Sequence, residues 1–428
     1  MKTSPLLDPS SGRLLPLASL RFFAVAYVVL FHWMLLVPIR PRSGFLFRLL
    51  PLGSISISFF YLFSGYILAW VYLRRNEKID KRRFYVARFA RVYPVFLVTL
   101  LADVPWYYLS HNAQLGLHEG LIKTGVKFVG CLFMLQAWAP RFWGMDFPNW
   151  SLSVETLCYL LFPFAGVLLW RLRGVWIWIT MILVYVLGQS ALVYAAAFSA
   201  AHHLNTEELL YCPPLHVSTF LVGILLARLQ VSSINKSGGV LVRPAKIYVA
   251  LAASVAAYLA IGELIPGAYF TQYASRAILT DGLLAPIFCM VIWGLSSGTT
   301  IPSRLLSTKW LVISGEFGYG LYLIHFPVLN ATAPAIRNLL HGTAHAEFGA
   351  IYFTSFFACF TLCTLLSIAS YFWIETPARK WIKRTLNSTP RQASEAAFKP
   401  KYAGGAGLLV ENHSQWSASP ARRGIDHL

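Results

Sequence analysis

The chain of 428 residues is 57% hydrophobic and 12% charged, with a mean hydropathy of +0.58; a soluble protein carries about a quarter charged residues, so an ordinary water-soluble globule is excluded. The net charge of +19 does not indicate nucleic acid, because the basic residues fall between apolar runs and form no contiguous footprint. Cys131, Cys158, Cys212, Cys289, Cys359 and Cys363 sit mostly within apolar segments, without metal-ligand or disulfide-framework spacing. They read as small buried hydrophobes, and no metal is expected.

The opening MKTSPLLDPSSGR lacks the basic n-region and cleavage site of a signal peptide, so the first apolar run is expected to stay in the protein. That run, 15–37, is long enough to cross a bilayer at roughly 20 apolar residues. It carries Arg21 and His32 in its interior, 11 positions apart. At ~100° per residue the two return to one face of a helix, separated by about 16 Å along its axis. A charge at membrane depth costs ~2.5 kcal/mol or more, so such residues face a polar cavity or a partner. The bland alternative is an arginine reaching to the interface and a histidine bonded quietly between helices.

Further spans are expected at about 52–73, 92–110, 150–170, 174–198, 215–230, 246–264, 279–297, 311–333 and 349–374. The fold class is therefore an all-α integral membrane protein, with about ten transmembrane helices in one bundle. Segment 121–139 has two lysines and a shorter apolar run, which suit a re-entrant or interfacial helix. With the N-terminus in the cytoplasm, 27 of the 36 lysines and arginines fall in cytoplasmic segments and eight outside, Arg21 being within the first span. The positive-inside rule favours this orientation, with both termini cytoplasmic. Counting 121–139 as a crossing would put the basic tail outside and is rejected. The division is a cytoplasmic segment 1–14, a membrane domain 15–385 and a disordered basic tail 386–428.

Orientation gives the polar residues a depth. Ser54, Ser58, Gly65 and Ala69 form two small-xxx-small pairs suited to close helix packing. Arg88 and Arg91, at i and i+3 where the third span leaves the cytoplasm, form a pair of guanidinium forks suited to phosphate or to lipid headgroups. Pro148, Asn149 and Ser151 are helix-start residues and place Glu155 just inside the outer edge. His325 falls in the outer half of the ninth span, with Pro327 beyond it. His32, Glu155 and His325 are thus expected together in the outer half, with Arg21, Arg88 and Arg91 towards the cytoplasm. Glu375 and Pro377 read as an ion pair or a helix stop. Nothing resembles a P-loop, a GxSxG elbow or an HExxH site.

Taken together, residues of about 15–385 resemble the acyltransferase-3 family of integral membrane O-acyltransferases. LASLRFFAVAYVVLFHW resembles its Arg-x10-His first helix at Arg21 and His32. SFFYLFSGYIL resembles its Phe-Phe-x-x-Ser-Gly motif, with Phe60 and Tyr61 in the aromatic places and Ser64–Gly65 following. RFAR resembles its Arg-x-x-Arg motif at Arg88 and Arg91. NWSLSVETLCYLLFP resembles its Trp-Ser-Leu-x-x-Glu signature through Trp150, Ser151, Leu152 and Glu155, and GYGLYLIHFPV the late Tyr-Leu-x-His-x-Pro motif ending in His325 and Pro327. Two departures stand out. Many members carry an acidic residue where this chain has Ser58, and some bacterial members carry an extra extracytoplasmic hydrolase-like domain for which a tail of about 40 residues is too small.

The resemblance implies transfer of an acyl group from cytoplasmic acyl-CoA, acetyl-CoA first among the donors, to a hydroxyl of a cell-surface glycan or related acceptor in the inner (plasma) membrane. By resemblance and depth, Arg88 and Arg91, with Arg21 further in, would dock the donor's phosphates. His32, with an unperturbed pKa near 6.5, suits a general base. Glu155 would orient or charge-stabilise it, and His325 would contact the acceptor or an oxyanion. An acyl-histidine at His32 is the other chemistry. The partners implied are membrane lipids, acyl-CoA and the hydroxyl-bearing acceptor, with no nucleic acid. A proton-coupled transporter or flippase is the alternative class, since polar residues at both ends of a bundle also suit alternating access.

Overall fold

The computed structural model describes residues 14–38, 53, 55–75, 78–139, 142, 145, 147–203, 211–236, 248–257, 282–296, 300–341 and 350–387. Ser54, the tail beyond residue 387 and all but the last residue of the segment 1–14 lie outside these. Among the described residues every regular element is helical and none is a strand. The helices are α1 (Leu15–Leu36), α2 (Ser56–Tyr72), α3 (Lys81–Tyr107), α4 (Leu117–Leu132), α5 (Trp150–Trp170), α6 (Val175–Ala201), α7 (Val217–Lys236), α8 (Tyr248–Ala257), α9 (Ala285–Ser296), α10 (Ile301–Leu306), α11 (Lys309–His341), α12 (Ala350–Ser370) and α13 (Thr376–Asn387).

Among the described residues, six stretches are long and apolar enough to cross a membrane: Leu15–Leu36, Lys81–Leu115, Trp150–Trp170, Val175–Ser199, Pro213–Ser233 and Ala350–Leu386. The shorter apolar helices α2, α8 and α9 coincide with other expected spans, as does α11. α6 and α12 turn Leu183, Val186, Leu187, Phe357 and Leu365 outward. Hydrocarbon, which demands that the backbone be satisfied within each helix, is the solvent such surfaces suit. The chain is a multi-pass membrane protein.

α3 begins 11 residues before the expected start of its span. Asp80 caps it by accepting from the Arg83 backbone N–H at 3.0 Å, so the basic stretch 81–91 is helix and not loop. Arg88 and Arg91 are therefore held on the wall of a continuous helix. α4 is 16 residues long, too short at 1.5 Å per residue for a ~30 Å hydrocarbon core. It leaves Leu121, Ile122, Val126 and Val129 exposed, and Lys123 pairs with Glu119 at 2.8 Å.

Two helix pairs form the frame. α2 and α7 pack side by side through glycine: a Cβ on Gly65 would run into the Phe220 carbonyl, and one on Gly223 into the Leu62 carbonyl. Tyr61 lies against His216, with ring centroids 5.6 Å apart, and the Tyr66 hydroxyl donates to Gln230 Oε1 at 2.5 Å; these two contacts rise together along both helices, so the pair is parallel. Parallel neighbours need an odd number of crossings between them. α3, α5 and α6 supply it; α4 as a fourth crossing would not. α1 and α11 are also parallel, with Gly315 against the Ala18 backbone and Gly318 against the Arg21 stem. Phe84, Phe162 and Phe220 tie α3, α5 and α7 together, their rings 5.2 and 6.3 Å apart in succession. Ser58 is fully buried and bonds the Ile55 carbonyl at 3.0 Å, a packing role.

The chain does not stop at Glu375–Pro377. It passes through a π-helical turn, Tyr371–Glu375, into the amphipathic α13. Pro377 has no N–H to continue the ladder, and it follows directly on the π-helical turn, where the Thr376 N–H bonds the Tyr371 carbonyl and the register shifts.

Gly65→Ala should destabilise the protein by ~1–3 kcal/mol, the usual range for overpacking. The check is the midpoint of heat-induced loss of monodisperse protein in detergent, with Gly125→Ala, which has open space around it, as control. Equal midpoints would contradict the α2–α7 contact.

Candidate active site

A cavity of about 110 Å³ opens between α1, α2, α3, α5 and α11. Arg21 from α1 and Arg88 and Arg91 from α3 line it, together with Glu155 and Tyr159 from α5. Aromatic and small residues complete the wall, among them Phe60, Phe63 and Ser64 from α2 and Tyr319 and Tyr322 from α11. The cations lean on rings: Arg21 lies 5.1 Å from the Phe63 centroid, and Arg88 lies 5.7 Å from Tyr159 and 5.9 Å from both Tyr72 and Phe84. Arg88 Nε is buried without a hydrogen-bond partner. Glu155 Oε1 accepts from the Tyr159 hydroxyl one helical turn on. The carboxylates of Glu155 and Glu316 offset Arg21 and Arg91, which repel each other. Cationic excess in a low-dielectric wall is a site for an anion.

Beyond the cavity two histidines meet. His325 Nε2 is 3.1 Å from His32 Nδ1, and both rings are buried, at 0% and 5% exposure. His325 Nδ1 also lies 2.6 Å from the Tyr322 carbonyl, and His32 Nδ1 lies 3.0 Å from the Val28 carbonyl. A carbonyl oxygen only accepts, so this network assigns a proton to each Nδ1. The His32 N–H is then shared between the Val28 carbonyl and the lone pair of His325 Nε2. The remaining lone pair of His32 is on Nε2. Phe31 and Phe326 wall the His32 ring at 5.1 and 5.4 Å.

Tyr322 joins the two regions. Its carbonyl takes the His325 proton while its side chain lines the cavity. Its hydroxyl is 2.6 Å from Ser151 Oγ and 2.9 Å from the Pro148 carbonyl, which Ser151 Oγ also reaches at 3.0 Å. Ser151 thus bonds the turn before α5, whereas Asn149 makes no side-chain cap.

The structure brings together Arg21, Arg88 and Arg91, and separately His32 and His325. It does not group Glu155 with the histidines. That carboxylate shares the arginine cavity and bonds Tyr159, and among the described residues no hydrogen bond or ion pair joins it to His32. The reason is helical phase: Glu155 and Tyr159, at i and i+4, share the cavity-facing stripe of α5. Sequence reasoning gave no role to Tyr159, Tyr319 or Tyr322 and overlooked Glu316. Glu316 carried a signal, being an ionisable residue at the start of an apolar span, the rule that singled out Glu155.

The family model described as an acyltransferase domain, Acyl_transf_3, matches residues 17–371, which hold the cavity and both histidines. The chain is similar to acyltransferase MdmB of Streptomyces mycarofaciens, 29% identical over 76% of this chain and 81% of that protein. It is similar to peptidoglycan O-acetyltransferase OatA of Listeria monocytogenes at 24% identity over 67% of this chain, and to O-acetyltransferase OatA of Staphylococcus aureus at 23% over 90%. It spans 46% and 61% of those two proteins. No solved structure matches. With an Arg-x10-His helix, paired arginines on one cavity and a late histidine closing on the first, all within the matched residues, the chain belongs to the acyltransferase-3 family.

Proposed function

We propose that the protein moves an acyl group, acetyl first among the candidates, from acyl-CoA to a hydroxyl of a cell-surface glycan or related acceptor, in the inner (plasma) membrane. The observation that carries this reading is the connection of a three-arginine cavity, through Tyr322, to a buried histidine pair. Relatives named as O-acetyltransferases, one of them acting on peptidoglycan, support an acetyl donor and a glycan acceptor.

In this reading the bundle has ten spans and both termini are cytoplasmic. Arg88 and Arg91 grip the donor phosphates, with Arg21 deeper, because guanidinium forks bind phosphate bidentately. The acyl thioester then reaches towards Tyr322 and the histidines. His32 Nε2 takes the proton of the acceptor hydroxyl as its oxygen attacks the thioester carbonyl. The departing thiolate recovers that proton from the imidazolium. His325 is a positioning residue that holds the His32 Nδ1–H and so keeps Nε2 basic. Glu155 offsets arginine charge; nothing in the geometry makes it an orienter of His32. Attack by Nε2 itself, giving an acyl-histidine, uses the same geometry.

Purified protein given acetyl-CoA labelled in the acetyl group should release CoA and pass label to a hydroxyl-bearing glycan, whereas a transporter would transfer none. His32→Ala should lower kcat by ~10²–10⁴, the range of a positioned acid–base group. Donor binding and protein level should hold. His32→Gln, which cannot accept a proton near neutral pH, should fall equally. Near-parental turnover in that variant would end both routes, and a labelled adduct lost only in His32 variants would select the covalent one.

Arg88→Ala or Arg91→Ala should raise the KM for acyl-CoA about tenfold or more, the cost of a charge-assisted hydrogen bond. Unchanged donor kinetics in both, at normal protein levels, would return them to lipid anchoring. Single cysteines at the exposed positions Lys78 and His203 should react with an impermeant maleimide from the cytoplasmic and outer faces respectively. Labelling of both from one side would remove the proposed orientation.

A further inference from the structure

Outside the cavity, one cluster of buried polar atoms has no assigned use. At the π-helical turn between α12 and α13, Glu375 is 2% exposed and its Oε1 pairs with Arg379 Nη2. Glu375 Oε2, Arg379 Nε and Ser370 Oγ are buried without a hydrogen-bond partner, and Thr376 Oγ1 lies beside them against the Tyr371 hydroxyl. Such orphans are rare in folded proteins, and each calls for a physical explanation. π-helical turns are themselves frequent at functional sites. The set is mixed: an N–H and hydroxyls that can donate, beside a carboxylate oxygen that only accepts. A phosphate alone would satisfy the donors and repel Glu375. A phosphorylated nucleoside satisfies both, since its phosphate accepts while its sugar hydroxyl or base amine donates.

Position agrees with chemistry. α13 packs along α3, the helix that carries Arg88 and Arg91. Arg379 and Lys383 are one turn apart on one face of α13. The field of Arg91 acts on Glu375 and Arg379, and Lys383 feels Arg379, Arg88 and Arg91. The cationic wall of the cavity therefore continues across α3 onto α13.

We infer that the start of α13 is the nucleotide half of the donor site: Arg379, Lys383 and Thr376 hold the phosphate on the donor's ribose, and Glu375 Oε2 accepts from the nucleoside. This rests on the acyl-CoA reading above and assigns the diphosphate to Arg88 and Arg91. Lys380 and Arg384, exposed beside that face, are left to the lipid surface.

The test uses the full chain in phosphatidylcholine nanodiscs, titrated with CoA and with 3′-dephospho-CoA. The parent should prefer CoA. Lys383→Ala and Thr376→Val should weaken CoA about tenfold each and leave 3′-dephospho-CoA unmoved, while Lys380→Ala keeps the parental preference. Lys383 is exposed, so its variant tests the contact without disturbing the core. Variants that keep the parental preference, or a parent with none, would overturn the inference and leave the acyl-CoA reading standing. A parent that binds neither compound would overturn both. Repeating the titrations with phosphatidylglycerol discs separates the phosphate sources. If the variants lose only affinity for the anionic discs and bind CoA as the parent does, the phosphate belongs to a lipid and the inference fails.

Discussion

The site depends on how closely α1 and α11 approach. Gly315 presents no side chain to the Ala18 backbone, so the two helices meet at backbone distance. Lipid tails are as apolar as leucine, and helix association in a bilayer relies on such close packing and on polar contacts rather than on the hydrophobic effect. The approach fixes what lies along the seam. Gly318 leaves room for the Arg21 stem, whose Cδ stands 3.7 Å from where a Cβ would be, and His325 closes on His32 at 3.1 Å. One helix pair therefore sets both the depth of the cavity and the pairing beyond it.

Concentrated positive charge inside a membrane bundle has to be offset. Glu155, Glu316 and Glu375 act on Arg21, Arg91 and Arg379. Aromatic faces add more, each cation–π contact contributing ~0.5–2 kcal/mol according to its desolvation. The offset is incomplete, since Arg88 Nε has no partner. A fully compensated network would stabilise the fold and bind nothing; this one holds its cations in place with capacity to spare for an anion.

Much of this was legible in the sequence because the signals are periodic. The spacing of Arg21 and His32 places both on the α11 side of α1, the helix starting at Trp150 begins where the turn residues put it, and the length of 121–139 already argued against a crossing. What was not legible depends on tertiary phase. Depth along a helix says nothing about which stripe faces which neighbour, and so Glu155 was grouped with residues at its own level rather than with the arginines across the cavity. The early start of α3 was hidden by its charge, which reads as loop until Asp80 is recognised as a cap. Tyr322 illustrates a further limit: its function as a link comes from a backbone carbonyl, which no side-chain motif can announce.

The turn Tyr371–Glu375 sets an angle as well as a bend. A π-helical turn holds one residue more than an α-helical turn between bonded groups, and each residue of an α-helix is worth ~100° of rotation. Everything after residue 375 is therefore indexed about a quarter-turn away from where an unbroken α12 would have put it. Loss of one residue here would leave the composition, charge and length of α13 almost untouched while swinging Arg379 and Lys383 off α3. The turn works as a vernier, and the registration of the last helix against the third is written in the number of residues before it as much as in their identity.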